Sequence, residues 1–242
     1  MTVRIAMWSG PRNISTAMMR AWENRSDCQV IDEPLYGYYL HKTGLDHPGG
    51  ADVMQAQGTD WQTAVKRCNA ATDNGEALFF QKHMAMHMLP EVPMNWLADY
   101  RHYFLIRNPA LVLASYSAVR ETVTMDDLGF RQAVELYKSL SNSCNHAPVV
   151  VDTESFLKQP DAQLRALCDA LHIGFDENML RWPAGSRSTD GVWAAYWYDS
   201  VNASTGFAPY RPKSPTLDTV QQHLVDEAMP YYETLKRIAL VI

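Results

Sequence analysis

The stretch SGPRNIST, at residues 9–16, combines residue types that bind anions. It follows the apolar run RIAMW, which predicts a strand, and precedes AMMRAWENR, which predicts a helix. The start of a helix has unpaired backbone N–H groups and a partial positive charge, so it can bind an anion. Arg12 adds a full charge, and Ser15 and Thr16 add hydroxyl donors. The stretch is therefore either a capped strand-to-helix turn or an anion site.

A second stretch, RNPALVLAS at residues 107–115, has a similar capacity. Arg107 ends a predicted strand, and Ser115 follows eight residues later, inside the predicted helix that opens at Pro109. An Arg can bind a phosphate through its forked donors, and a Ser hydroxyl can bind the same group. Taken alone, the stretch is equally explained as an ordinary strand-to-helix turn.

Titratable residues follow two other predicted strands. Glu33 comes just after CQVID, and His83 comes just after ALFFQ. In open parallel sheets, ligands bind beyond the carboxyl ends of the strands. Because Arg12 and Arg107 also follow predicted strands, we expect these four residues to surround one site.

Short apolar runs alternate with amphipathic segments along the chain. The predicted strands are residues 4–8, 28–32, 77–81, 102–107 and 147–152. Helical spacing is found over about 16–24, 59–72, 126–142 and 216–239, and after Pro109 and Gln159. Continuously apolar strands that alternate with helices are typical of a parallel sheet covered on both faces. We therefore predict a single α/β domain over residues 1–242, with three layers and a central parallel sheet.

Residues 181–215 depart from this alternation, because they are rich in aromatic residues, Gly and Pro. Long irregular segments of this kind often form functional lids. We expect an acceptor pocket here, lined by Trp193, Trp197, Tyr198 and Phe207. A small satellite core under the segment would explain the same four rings.

The order and spacing of these motifs resemble the sulfotransferases that use 3'-phosphoadenosine 5'-phosphosulfate. In that family a Pro-Lys/Arg-Ser-Gly-Thr-Thr loop cradles the 5'-phosphosulfate, and a later Arg and Ser bind the 3'-phosphate. A strand, an acidic turn, a Pro and a helix follow, as in VVVDTESFLKQPDAQLRALCDAL here. The resemblance covers about residues 3–180 and implies a P-loop type nucleotide-binding fold.

The resemblance also implies a set of donor-binding residues. A late Arg-Lys-Gly segment of cytosolic members has a shortened counterpart here, which begins at Arg187 and lacks the Lys. The implied set is Pro11, Arg12, Asn13, Ile14, Ser15, Thr16, Arg107, Ser115 and Arg187. Asn13 stands where the family has Ser, and Ile14 stands where it usually has Gly. Because a β-branched residue resists positive φ, we expect the loop to take an ordinary conformation at Ile14.

Two residues are candidates for the general base. FFQKHMAMHMLP is similar to the family's Lys-Thr-His-Leu-Pro strand end, whose His is the base, and this favours His83. Some carbohydrate and bacterial members use a Glu beyond the second strand, which favours Glu33, and the adjacent Asp32 would raise its pKa. We place His83 ahead of Glu33. His83 and His87 have a zinc-pair spacing, but Met84 replaces the Glu of HExxH, so we predict no metal site.

The implied reaction is sulfuryl transfer from 3'-phosphoadenosine 5'-phosphosulfate to a hydroxyl or amine of a small organic acceptor. Arg12 would stabilise charge on the leaving group, and the resemblance implies no magnesium. A P-loop kinase or NTPase is one alternative, although no Lys precedes Ser15 or Thr16 as GxxxxGK[ST] requires. A nucleotide-binding protein of the same fold that has lost catalysis is another.

Bulk composition limits the partners. The chain of 242 residues has a net charge of −6, which argues against nonspecific binding to nucleic acid or an anionic membrane. Cys28, Cys68, Cys144 and Cys168 match no zinc or CxxC spacing, so we expect reduced thiols. The first apolar run is too short for a signal peptide. The sequence therefore predicts a cytoplasmic protein with a small-molecule partner.

Overall fold

The computed structural model describes residues 2–120 and 122–242. Five strands form one sheet in the order β2-β3-β1-β4-β5, and every neighbouring pair is parallel. The strands are β1 (Val3–Ser9), β2 (Cys28–Asp32), β3 (Leu78–Met84), β4 (Arg101–Ile106) and β5 (Val149–Asp152). The predicted α/β class with a central parallel sheet is confirmed.

Helices connect the strands and continue the chain after β5. They are α1 (Ser15–Glu23), α2 (Tyr36–Thr43), α3 (Gly50–Gln57), α4 (Trp61–Asn69), α5 (Pro109–Tyr116), α6 (Met125–Leu128), α7 (Phe130–Ser143), α8 (Thr153–Lys158), α9 (Pro160–Ala170), α10 (Ala194–Trp197), α11 (Asp199–Asn202) and α12 (Thr219–Lys236). No helix of the described ranges is both long enough and apolar enough to cross a membrane.

Side chains alternate between the two faces of the sheet, and each face has its own core. Ile5 and Met7 of β1 pack on the face covered by α1 and α9. Ala6 and Trp8 pack on the opposite face, against α5, α7 and α12. This alternation decides which residue of each strand can reach a given side of the molecule.

Three segments differ from the sequence-based prediction. Residues 37–58, whose Gly-, His- and polar-rich composition predicts a loop with a short helix, form two helices, α2 and α3. The predicted helix over 126–142 divides into α6 and α7 at Gly129, whose φ of 71° is left-handed. The last helix, α12, continues through Pro230. Residues 181–215 carry α10, α11 and one isolated bridge from Arg181 to Gly206.

Candidate functional site

A cavity of about 340 Å³ lies beyond the carboxyl ends of the strands, where the preceding rule for parallel sheets places a ligand. Most of the residues that the sequence singled out line it. These are Pro11, Arg12, Asn13, Ile14, Ser15, Thr16, Glu33, Arg107, Ser115, Trp193, Trp197, Tyr198 and Phe207. His83 and Arg187 are the two that do not.

The loop between β1 and α1 has an alternating backbone conformation. Arg12 and Ile14 have φ values of 57° and 51°, both left-handed, and Asn13 lies between them. The expectation of an ordinary conformation at Ile14 was therefore wrong. Left-handed residues that alternate with a residue of negative φ can turn successive N–H groups toward one point, which is the geometry of an anion-binding nest. Holding two non-glycine residues there costs about 1–3 kcal/mol each.

The side chain of Asn13 helps to hold this strained loop in place. Its Nδ2 donates to the carbonyl of Leu105 in β4, and its Oδ1 accepts a 2.6 Å hydrogen bond from Oγ1 of Thr153 after β5. A Cβ on Gly10 would lie 2.6 Å from the carbonyl oxygen of Leu128, so only glycine fits where the loop passes α6. Asn13 therefore anchors the loop from two neighbouring strand ends.

The start of α1 leaves backbone donors for a ligand. Its first intrahelical bond runs from Met18 N–H to the Ile14 carbonyl at 3.0 Å. Within the described part of the chain, no side chain caps this end. The N–H groups of the first turn therefore face the cavity together with the nest, where the helix dipole favours negative charge.

Two guanidinium groups stand beside this cradle. Arg12 Nε donates to Ser115 Oγ at 3.0 Å, and Arg107 Nη1 donates to the Arg12 carbonyl at 2.5 Å. Neither group forms an ion pair with a carboxylate among the residues described. Burial, with repulsion from Arg12 added, lowers the pKa of Arg107. An anion bound between the two guanidinium groups would offset both the cost of burying the Arg107 charge and its repulsion from Arg12.

A buried ionic cluster lies beyond β2 and β3, which we call the β2–β3 end of the cavity, whereas Arg12 and Arg107 follow β1 and β4. Lys82 Nζ lies 2.8 Å from Asp32 Oδ1 and 2.5 Å from Glu33 Oε1. Tyr198, from the irregular segment, accepts a 2.7 Å hydrogen bond from Lys82 Nζ and donates to Asp32 Oδ2 at 2.6 Å. Burial disfavours the charged lysine, but the attraction of the two carboxylates outweighs it and raises the pKa of Lys82 well above its ordinary value. Burial also raises the pKa of Glu33, against the opposing attraction of Lys82.

His87 faces the same end of the cavity from the turn after β3. Its ring stacks on Tyr36 and on Tyr39, with centroids 4.7 and 4.5 Å away. Its Nδ1 has no hydrogen-bond partner among the described residues and lies 3.9 Å from Glu33 Oε2. Burial lowers the pKa of His87 well below its ordinary value, so the imidazole is neutral.

His83 points away from the cavity because of strand alternation. Lys82 and Met84 of β3 line the cavity, so the residue between them lies on the opposite face. There the His83 ring stacks on Trp8 at 4.5 Å, and its Nε2 lies 3.2 Å from Gln81 Oε1. Burial lowers its pKa to about 3. The structure thus does not bring His83 to the group of strand-end residues that we expected it to join.

Arg187 also lies outside the cavity lining. Its Nε is 3.7 Å from Glu23 Oε2, and its Nη2 donates to the Pro183 carbonyl at 2.6 Å. Nearby, the buried Arg20 of α1 pairs with Asp190 at 2.6 Å. These contacts fasten the irregular segment to α1, and the segment presents its four aromatic residues to the cavity.

Lys82 and His87 are two titratable residues of the cavity lining that the sequence reasoning did not place in the site. The position of Lys82 in the strand could have revealed it. Side chains alternate between the two faces of β3, so Lys82 and Met84 face the cavity when His83 faces the other side. His87 follows the strand in a short 3-10 turn, Ala85–His87, which has no periodic pattern to reveal its direction. For the described residues, no group of His, Cys, Asp and Glu has the arrangement of a metal site.

Known proteins match most of this chain. The family model described as "Sulfotransferase domain" matches residues 3–239. Two Arabidopsis thaliana proteins, branched-chain-amino-acid aminotransferase-like proteins 2 and 1, are 32% and 34% identical to it over 233 residues. These residues are 96% of this chain and 41% of each relative. The chain thus spans about two fifths of the length of these curated relatives.

Solved sulfotransferases share the fold at low sequence identity. A sulfotransferase domain from the curacin biosynthetic pathway has a TM-score of 0.56 at 15% identity, covering 95% of this chain and 98% of that one. A sulfotransferase from Alicyclobacillus acidocaldarius has a TM-score of 0.56 at 12% identity, with 97% and 96% covered. Mouse sulfotransferase SULT7A1, complexed with PAP, has a TM-score of 0.54 at 13% identity, with 98% and 89% covered.

Proposed function

This chain belongs to the sulfotransferase domain family, and we propose that it transfers a sulfuryl group from 3'-phosphoadenosine 5'-phosphosulfate to a hydroxyl or amine of a small organic acceptor. The observation that carries the proposal is the pair Arg12 and Arg107. Over residues 2–120 and 122–242, neither guanidinium group has a carboxylate partner, and both lie beside a nest and a helix start that no side chain caps. A ligand with phosphate at both ends of a nucleoside matches this arrangement.

The donor-binding residues fit such a ligand. The nest at Arg12–Ile14 and the first turn of α1 would hold the 5'-phosphosulfate through backbone N–H groups. Arg107 and Ser115 would hold the 3'-phosphate, as the family resemblance implies. That a related fold, the mouse enzyme, was crystallised with PAP supports this assignment. The bound donor supplies the sulfuryl group and leaves as the bisphosphate.

Arg12 and the first-turn N–H groups have the electrostatic role in the reaction. They stabilise negative charge that develops on the leaving phosphate oxygen, in a cavity where fixed donors are more effective than water. They also hold the donor in line with the acceptor, which removes much of the entropic cost of bringing the two reactants together.

Glu33 is the general base in this proposal. It lines the cavity, and burial raises its pKa toward the range in which a carboxylate accepts a proton efficiently. Lys82 holds one carboxylate oxygen at 2.5 Å and leaves Oε2 toward His87 and the cavity. His83 gives up this role because it lies on the other face of the sheet.

Calorimetric titration of 3'-phosphoadenosine 5'-phosphate tests the proposal, with ATP titrated in parallel with and without magnesium. The proposal expects tight binding of the bisphosphate without metal and weak binding of ATP. Magnesium-dependent preference for ATP would favour the kinase alternative instead. Bisphosphate binding without transfer to any acceptor would favour a nucleotide-binding protein that has lost catalysis.

A further inference from the structure

The β2–β3 end of the cavity, where the acceptor would bind, has an excess of negative charge. Two carboxylates, Asp32 and Glu33, share one ammonium group, that of Lys82. Asp32 is satisfied, because it also accepts hydrogen bonds from Tyr198 and from the backbone N–H of Gly191. The uncompensated charge therefore lies on Glu33, at the oxygen that Lys82 does not contact.

The groups around that oxygen do not neutralise it. His87 Nδ1, 3.9 Å away, is too distant for a hydrogen bond, and the ring is neutral because burial lowers its pKa. Arg12 and Arg107 form the anion cradle at the other end of the same cavity. Among the described residues, the buried His87 Nδ1 has no hydrogen-bond partner. It faces the cavity together with Glu33 Oε2, and neither atom satisfies the other.

Aromatic rings enclose this end. Tyr36 and Trp193 both line the cavity and meet edge to face at 5.2 Å, with ring planes at 84°. Trp197 adds a third ring, and Met84 and Met86 complete an apolar wall. Aromatic faces attract cations, most strongly where water is excluded, and a neighbouring carboxylate adds to this attraction.

From this juxtaposition we infer that the acceptor is a positively charged amine, whose ammonium group binds between Glu33 and His87 inside the aromatic wall. The inference rests on the proposed sulfuryl transfer and narrows its acceptor class. An ammonium group carries several N–H donors, so it can bond Glu33 Oε2 and still reach a second acceptor, whereas a hydroxyl has one. A neutral acceptor would bring no charge to keep Glu33 ionised, and burial, which raises the pKa of Glu33, would then favour the protonated carboxyl group.

The reaction balances for this acceptor. The ammonium group gives one proton to the Glu33 carboxylate and becomes a neutral amine. The nitrogen lone pair forms the N–S bond while the bond from sulfur to the phosphate oxygen breaks, and that electron pair stays on the phosphate. The nitrogen then loses its second proton to water. The products are a sulfamate, the bisphosphate and two protons, one of which is held first by Glu33.

A pair of isosteric probes tests the inference without any variant. Benzylamine, which is protonated at neutral pH, and benzyl alcohol, which is neutral, are titrated calorimetrically into the wild-type protein with and without 3'-phosphoadenosine 5'-phosphate. We expect the amine to bind at least about tenfold more tightly, the range of one hydrogen bond to a charged group. Equal affinity, tighter binding of the alcohol, or binding of neither probe would overturn the inference.

Glu33→Gln locates the effect, because it removes the charge and keeps the shape. The amine preference should disappear in this variant. Glu76→Gln is the matched control, since Glu76 lies in the turn before β3, at the opposite edge of the sheet. Its amine preference should equal that of the wild type, and an equal loss in both variants would contradict the assignment.

The two proposals fail in different ways. If the bisphosphate does not bind but the amine preference remains, the donor assignment is wrong and the acceptor site stands. If the bisphosphate binds and the amine preference is absent, the acceptor class is wrong and the donor site stands.

Discussion

Arg107→Met should weaken bisphosphate binding while leaving the fold intact. Methionine keeps the length and apolar stem of the side chain and removes the charge and the donors. In the unliganded protein the positive charge of this guanidinium is unfavourable, because burial and repulsion from Arg12 both lower its pKa. Among the described residues, its side chain makes one hydrogen bond, at 2.5 Å to the Arg12 carbonyl. A bound phosphate would make the same charge favourable, because the phosphate attracts it.

The expected magnitudes follow from these contacts. Loss of the hydrogen bond to the Arg12 carbonyl costs about 0.5–1.5 kcal/mol of the free energy of unfolding, and relief of the repulsion offsets part of it. Loss of a charged donor to phosphate costs about 1.5–3 kcal/mol of binding free energy, which is a factor of about 10–150 in Kd. Binding should therefore change far more than stability.

The assay compares two nucleotides by calorimetry at low ionic strength, where screening is weak. The affinity for 3'-phosphoadenosine 5'-phosphate should fall by this factor in Arg107→Met, and the affinity for AMP, which lacks the 3'-phosphate, should stay nearly constant. Urea unfolding measures the stability of each variant. Arg165→Met is the matched control, because Arg165 is half exposed and pairs with Asp161 in α9, which covers one face of the sheet.

Three outcomes would refute this reasoning. The first is an unchanged bisphosphate affinity in Arg107→Met. The second is an equal loss for AMP, which would show that the residue does not act on the 3'-phosphate. The third is a stability loss above about 3 kcal/mol, because it would mark Arg107 as part of a buried structural pair rather than a ligand-binding residue.

Three further predictions concern the loop, the ionic cluster and the base. At Ile14, whose φ is 51°, the Gly variant should be more stable to urea than the Ala variant by about 1 kcal/mol, and the reverse order would contradict the left-handed loop. Lys82→Met leaves Asp32 and Glu33 buried together, so it should cost about 3–5 kcal/mol at neutral pH and less in acid, as unfolding at two pH values can show. In the wild type the rate of sulfuryl transfer should rise with pH through the raised pKa of Glu33, because the ionised carboxylate is the base. The free energy of unfolding in urea should fall over the same pH range, because the folded protein binds the Glu33 proton more tightly than the unfolded chain does. Glu33→Gln should abolish both trends, and His83→Asn should keep both. A His83→Asn variant that is folded but inactive would show that His83, and not Glu33, is the base.

The sequence predicts the sheet well because most of its strands, β3 and β4 above all, are buried on both faces. Short apolar runs marked the five strands, although β2 contains Gln29 and alternates in burial. The residues that follow the strands gather at one edge, as the topology of parallel sheets requires. This rule correctly placed Arg12, Arg107 and Glu33 around one cavity, and the spacing to Arg107 pointed to Ser115. The hydrogen bonds that join Arg12, Arg107 and Ser115 in the structure are the direct result of neighbouring strand ends.

Other features depend on information that the residue pattern does not carry. His83 and Lys82 are adjacent in β3, so their side chains lie on opposite faces of the sheet. A shift of one residue in the predicted register decides which of the two side chains reaches the cavity. Ile14 takes a left-handed conformation because tertiary bonds of Asn13 hold the loop, and local preference would have excluded it. The direction of Arg187 is set by Glu23 of α1, a contact between segments far apart in the chain.

Direct detection of sulfuryl transfer is the measurement that tests the account most closely. The protein is incubated with 3'-phosphoadenosine 5'-phosphosulfate and a panel of small primary amines and matching alcohols, and release of the bisphosphate is followed together with the product mass. The account predicts amine products that have gained one SO3 group, with bisphosphate released in equal amount and with loss of both signals in Glu33→Gln. Tight binding of the bisphosphate without transfer to any member of the panel would contradict it.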